Sequence, residues 1–215
     1  MIVASPVAVH RIVAGPFEAN CYVVSSAEGD AVVLDPGAEA ERIVEHVAAY
    51  RLRVHAVLAT HGHPDHVGAA AEVVGFYGVP FGIHSGESDA LGRVNFYRFA
   101  LHEIGRIDVP PVDLDLAVET DMRFGDLRVA VVHTPGHSPG SVCLEIGRRI
   151  FTGDTLMATR LGSTDTPGSD AGALRASVRR LAEAYPADTA IHPGHGGPGR
   201  LGQAVAMASV GRAGG

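Results

Sequence analysis

Thr60-His61-Gly62-His63-Pro64-Asp65-His66-Val67-Gly68 puts three imidazoles and one carboxylate within six residues. Imidazole and carboxylate are ligands for zinc and other divalent cations. Glycine and proline in the same stretch let neighbouring side chains leave the backbone in different directions. The run before it, His55 to Ala59, reads as a strand, and a helix is expected from near Asp65 through Phe76. The cluster is therefore placed between a strand tip and a helix. A polar His-rich loop is the plain alternative in a chain with 12 histidines.

Three further segments repeat the pattern of a ligand-type residue beside glycine after a β-like run. His137 lies in Thr134-Pro135-Gly136-His137-Ser138-Pro139-Gly140-Ser141, Asp154 in Phe151-Thr152-Gly153-Asp154-Thr155, and His195 in Pro193-Gly194-His195-Gly196. Each is weak by itself; together they describe a metal site assembled from one edge of a β structure. His10, His46, His55, His84, His102, His133 and His192 stand alone in the sequence. Of these, His133 and His192 fall nearest the motifs and are candidates to orient ligands.

Strand-like runs are expected at Pro6 to Val13, Asn20 to Ser25, Ala31 to Leu34, Leu127 to Val132, Ser141 to Ile146, Arg149 to Thr152 and Thr189 to Ile191. Helices are expected at Glu39 to Tyr50, Ala171 to Ala184 and around Leu201 to Ser209. Leu91 to Pro111 and Arg160 to Ser169 read as long irregular loops, the first carrying Phe96, Tyr97 and Phe99 as a possible apolar wall. Two β-rich halves with helices point to an α/β (α+β) fold, a four-layer αββα sandwich. No repeat or linker divides residues 1–215, so one domain is expected.

On these motifs the sequence resembles the metallo-β-lactamase superfamily, within it the glyoxalase II-like, or hydroxyacylglutathione hydrolase-like, branch. The resemblance implies that His61, His63 and His137 hold one metal ion, that Asp65, His66 and His195 hold a second, and that Asp154 bridges them. Two divalent ions, Zn2+, are implied, with one Fe2+ as the alternative. Asp65 is implied as the catalytic residue that orients or deprotonates water. Asp35 in Leu34-Asp35-Pro36-Gly37 is implied to support the His loop, although a strand-ending turn carboxylate reads the same way. Relatives of this branch often carry Gly-Arg-Thr-Asp where this chain has Gly162-Ser163-Thr164-Asp165. Replacing that arginine weakens recognition of glutathione carboxylates, though Arg160 lies three residues earlier.

The expected activity is metal-dependent hydrolysis of a small thioester of hydroxyacyl-thiol type. A mononuclear-iron sulfur (persulfide) dioxygenase using His61, His137 and Asp154, a lactonase or other superfamily hydrolase, and a non-catalytic metal-binding scaffold remain as alternatives. Composition limits the rest. The net charge of −7 argues against nucleic acid as partner, and neither a membrane span nor a leader pattern is visible. A cytoplasmic protein acting on a small acyl or thioester substrate is expected; oligomeric state and substrate contacts are not legible. Cys21 and Cys143 sit in β-like runs and read as buried hydrophobes. The absence of lysine excludes Schiff-base and P-loop chemistry, and there is no G-x-S-x-G elbow.

Overall fold

Unbroken burial along the central strands Ala19–Ser26 and Asp30–Leu34 shows that both faces of their sheet are covered. β1 (Val7–Ala14), β2 (Ala19–Ser26) and β3 (Asp30–Leu34) pair antiparallel. Helix α1 (Ala40–Ala49) then leads to β4 (Arg53–Leu58), parallel to β3. Helices α2 (Pro64–Val67) and α3 (Ala70–Tyr77) precede β5 (Phe81–Ile83); a 3-10 turn (Ser85–Glu87) and α4 (Ser88–Ala100) precede β6 (Leu114–Asp115). These strands make one sheet in the order β1-β2-β3-β4-β5-β6. The second sheet contains β7 (Asp121–Phe124), β8 (Leu127–His133), β9 (Val142–Ile146), β10 (Arg149–Gly153), β11 (Ala190–Pro193) and β12 (Gly199–Arg200), in reverse spatial order. Helix α5 (Ala171–Ala184) joins β10 to β11, and α6 (Leu201–Val210) follows β12. This computed structural model describes residues 6–100 and 106–210; the side chains of 96–100 and 210 lie outside that description. No helix among the described residues is long and apolar enough to cross a membrane.

Tyr22, Val24, Val32, Leu34, Ala56 and Leu58 point to the second sheet, where they meet Val142, Leu144, Ile146 and Phe151. The intervening residues Cys21, Val23, Ala31, Val33 and Val57 point outward and pack with Ile43 and Val47 of α1 and Val73 of α3. Cys143 and Ile150 do the same on the far side against Val178 and Leu181 of α5 and Ala204 of α6. The result is the αββα four-layer sandwich expected from sequence.

Strand directions gather the motif loops. β3, β4 and β5 are parallel, so the turns following all three leave from one edge. In the other sheet, β8 and β10 are each antiparallel to β9, and β11 is parallel to β10. Their C-terminal ends therefore also share an edge. Asp35, His61, Glu87, His137, Asp154 and His195 all lie just beyond these six ends.

Two local expectations are corrected. The helix expected from near Asp65 through Phe76 is two helices, because Ala69 N donates to the Pro36 carbonyl (2.9 Å) and pulls the chain out of register with α2. Residues 88–100, partly inside the expected loop Leu91 to Pro111, are helical instead; that stretch has no proline until Pro110 to break it. Phe96, Tyr97 and Phe99 therefore sit on α4, and their side chains lie outside the described residues. The short strands β5, β6, β7 and β12 were not separable from loop by sequence pattern.

Away from the site, Asp30 ties three segments together with only 6% of its surface exposed. His55 Nε2 and Arg53 Nη2 each lie 2.8 Å from Oδ1, and Asp126 N, in the β7–β8 turn, donates to Oδ2 at 3.1 Å. The His55 contact first, then Arg53 and the Asp126 amide, hold the carboxyl at about 2, below its ordinary 3.8. A depressed folded-state value stabilises the fold above the unfolded value, and that stabilisation is lost as pH falls through the folded one. Melting temperature should therefore drop between about pH 4 and pH 2 in the native protein. Asp30→Asn should flatten that part of the profile, and parallel profiles for the two proteins would place the acid sensitivity elsewhere.

Candidate metal centre

His61 and His63 occupy the turn after β4, and α2 begins at Pro64, whose fixed φ suits a first helical position. This tight start presents Asp65 and His66 immediately after the two histidines. His137 comes from the β8–β9 loop, Asp154 follows β10 and His195 follows β11. Close approach constrains the backbone here. A Cβ on Gly194 would lie 2.2 Å from Asp154 Oδ1 and 2.6 Å from His66 Cε1, and a Cβ on Gly37 would lie 1.6 Å from the Asp65 carbonyl oxygen. Any side chain at either position would push the carboxylate-bearing segments apart.

All seven residues singled out in the sequence come together. His61, His63 and His137 form one group, and Asp65, His66 and His195 another, with potential ligand atoms inside each group lying within 4.8 Å of one another. A third group, His61, His66 and Asp154, overlaps both. Asp154 lies between them: Oδ1 is 3.6 Å from His66 Nε2, while Oδ2 is 3.6 Å from His195 Nε2 and 3.8 Å from His137 Nε2.

Hydrogen bonds at the outer nitrogens decide which lone pairs face inward. His137 Nδ1 donates to the Ser163 carbonyl at 2.7 Å, and His195 Nδ1 to the Phe17 carbonyl at 3.1 Å. Thr60 Oγ1 donates to Asp35 Oδ2 at 2.8 Å, so at its 3.1 Å contact with His61 Nδ1 it acts as acceptor. The neutral rings of His61 and His137 are thereby left with Nε2 as a bare lone pair. The Nε2 atoms of His61 and His137 both face His63 Nδ1, at 3.1 and 2.9 Å. His66 Nε2 and Asp154 Oδ1 are buried with no hydrogen-bond partner. Such orphaned atoms cost about 1–3 kcal/mol each, and converging nitrogen and carboxylate lone pairs are the donor set divalent cations take. The residues present fit a pair of such ions.

The electrostatics divide the cluster. Burial, followed by the neighbouring His66 and His63, pushes His61 well below the ordinary imidazole value. Burial and then His137 lower His63 to about 4, so both rings are neutral and able to ligate near pH 7. Burial also opposes charge on His66, but Asp65, Asp35 and Asp154 outweigh it and lift the ring to about 10, so a cation taking its Nε2 lone pair would displace a proton. Asp65 is likewise opposed by burial, yet His66 and His195 draw its carboxyl below the usual carboxylate range.

Asp35 sits beside the cluster and contacts two of its segments. Its Oδ1 accepts from Thr60 N at 2.6 Å, and Oδ2 lies 3.2 Å from His66 Nδ1. Asp35 adopts φ 50°, a strained backbone for a non-glycine residue. Of the outlying histidines, His133 stacks on His84 and lies 3.0 Å from the Pro139 carbonyl, so it braces the His137 loop instead of contacting a ligand. His192 stacks on Phe151 in the core, and His102 lies outside the described residues.

Sequence reading missed three polar residues. Asn20 Nδ2 donates to the Pro193 and Gly196 carbonyls, both at 2.8 Å, and Tyr22 Oη donates to Pro193 at 2.6 Å, fixing the His195 loop. Fully buried Glu87 accepts from Gly62 N and Gly140 N. Nothing local distinguishes them: Asn20 and Tyr22 read as strand residues, and Glu87 falls outside every expected element and loop.

The sequence model of the metallo-beta-lactamase superfamily matches residues 14–195. Hydroxyacylglutathione hydrolase GloC of Haemophilus influenzae is 31% identical over 87% of this chain and 90% of its own length. Among solved structures, BLEG-1 B3 metallo-beta-lactamase superposes with a TM-score of 0.85 at 32% identity, covering 91% of this chain and 95% of that one. TTHA1623 in a di-iron-bound form gives 0.83 at 34%, covering 94% and 100%.

Removing the Asp35 carboxylate should loosen Thr60 and the ring it orients. Asp35→Ala is expected to weaken metal uptake about 10–100-fold in chelator competition; wild-type affinity would reduce Asp35 to a strand-ending turn.

Proposed function

This chain belongs to the metallo-β-lactamase superfamily, and from that membership we propose that it is a metal-dependent hydrolase that cleaves a small thioester of hydroxyacyl-thiol type. The observation that carries the proposal is the pairing of two complete donor groups with Asp154 between them. A mononuclear iron centre on His61, His137 and Asp154 would leave Asp65, His66 and His195 without a role. His61, His63 and His137 would hold one ion, Asp65, His66 and His195 the other, and Asp154 both. Bound there, two divalent cations, Zn2+ on this reading, supply Lewis-acid polarisation of a carbonyl and lower the pKa of water from about 15.7 to about 7.

The chain's own residues favour water over a protein nucleophile. Burial raises the Cys143 thiol to about 11 and the Cys21 thiol higher still, so neither is a thiolate at neutral pH. The hydroxyls of Ser138 and Ser141 are buried and spent on each other at 2.6 Å. Asp65 is ionised, has 22% of its side chain exposed and lies 3.2 Å from His195 Nε2. It accepts a hydrogen bond from water and so orients it. Water then adds across the acyl–sulfur bond to give a carboxylic acid and a thiol.

Two features bear on substrate size and carrier. A cleft of about 190 Å³ lined by Phe17, Ala38, Glu39, Glu72 and Ile107 among others borders Asp65 and none of the other six donor residues; on this reading it takes the far end of a small substrate. Ser163 Oγ donates to Asp165 Oδ2 at 2.7 Å and accepts from Asp165 N at 3.1 Å. The hydroxyl is thus occupied, and a short neutral side chain stands at the position from which an arginine would grip glutathione carboxylates. These groups favour a low-molecular-weight thiol other than glutathione.

Protein purified without added metal should contain two ions per chain and lose stoichiometry in Asp154→Ala. Chelation should abolish hydrolysis of short acyl thioesters, and zinc should restore it. Asp65→Ala should lower kcat by about 100-fold or more. One iron with oxygen consumption would replace this reading with the dioxygenase, and full hydrolysis by Asp65→Ala would remove Asp65 from the mechanism.

A further inference from the structure

Glu87 ends the 3-10 turn that follows β5 and is 0% exposed. Its Oε2 accepts from Gly62 N at 2.7 Å, and its Oε1 accepts from Gly140 N at 2.6 Å. Gly62 separates His61 from His63, and Gly140 closes the loop that carries His137. One carboxylate thus spans the two loops, from different sheets, that supply the three-imidazole group. Contact is close on both sides. A Cβ on Gly62 would lie 3.1 Å from Oε2, and a Cβ on Gly140 would lie 2.9 Å from Oε1 and from Glu87 N.

A fully buried carboxyl group costs free energy to desolvate, and here two backbone amides offset that cost. An apolar residue of the same volume would leave the Gly62 and Gly140 amides without an acceptor. We propose that Glu87 is a positioning residue, setting the separation of the His61–His63 and His137 loops and thereby the affinity of the three-imidazole half of the centre. This rests on reading the cluster as a paired-metal site. A carboxylate is required because both loops present N–H donors. Glutamine offers one oxygen and turns its NH2 toward the other donor, so Glu87→Gln keeps size and loses one clamp.

The test compares wild type, Glu87→Gln and Asp30→Asn, the last removing a carboxylate far from the centre. Zinc affinity is read by chelator competition and site geometry by the visible absorption of Co2+ bound in its place. Glu87→Gln is expected to bind one ion as wild type does and the second at least about 10-fold more weakly, with altered Co2+ bands. Asp30→Asn should lower melting temperature and leave both affinities unchanged. Wild-type binding of both ions by Glu87→Gln overturns the role of Glu87 alone, whereas no uptake by the wild type overturns the metal-centre reading with it. Should Glu87→Gln not fold, amide exchange in the unmodified protein decides. Slow exchange at Gly62 and Gly140 without metal supports the clamp, and protection appearing only with zinc overturns it.

Discussion

The amide and hydroxyl of Thr60 both donate to the buried Asp35 carboxylate, at 2.6 and 2.8 Å, while its carbonyl accepts from Val142 N in the opposite sheet at 2.9 Å. Through these contacts one residue joins β3, β4 and β9 at the edge where the donor cluster stands. The same hydroxyl fixes the His61 ring. Geometry at the centre therefore follows from how the two sheets dock, and docking follows from the apolar faces that Leu34, Leu58, Val142 and Leu144 bury between them.

The interior of the sandwich and its edge obey opposite rules. Inside, alternating aliphatic side chains bury without polar partners. At the edge, imidazoles and carboxylates are packed close enough to shift one another's proton affinities strongly, and buried atoms, His66 Nε2 and Asp154 Oδ1 among them, have no hydrogen bond. An arrangement optimised for stability alone would not hold these groups together; clusters of this kind are kept for what they bind. Orientation comes mostly from groups without chemistry of their own: the carbonyls of Ser163 and Phe17, the Thr60 hydroxyl and the Asn20 amide.

Much of this was legible in the sequence, for identifiable reasons. The ligand-type residues recur beside glycine at strand ends, so a site could be read without coordinates. The layers were legible because two β-rich halves each carry helices, and the unbroken apolar runs 21–24 and 31–34, buried throughout, need cover on both faces. Boundaries in the α2–α3 region were not, since the break at Gly68 depends on a hydrogen bond to the Pro36 carbonyl. Helix α4 was hidden by a stretch with little amphipathic pattern. Glu87 carried no signal because its partners are backbone amides in distant segments, and an amide looks the same in every residue.

Local chemistry is written in the chain itself. Side-chain type, glycine and proline placement and apolar patterning fixed the inventory of candidate donors, the positions of most strands and the two-sheet architecture. Tertiary structure decided which nitrogen of each histidine faces inward, that Asp154 lies between the two groups, and which carboxylates hold the loops. Those outcomes depend on distances between residues far apart in sequence, such as the 53 positions between Glu87 and Gly140. Only the docking of one sheet on the other sets such distances.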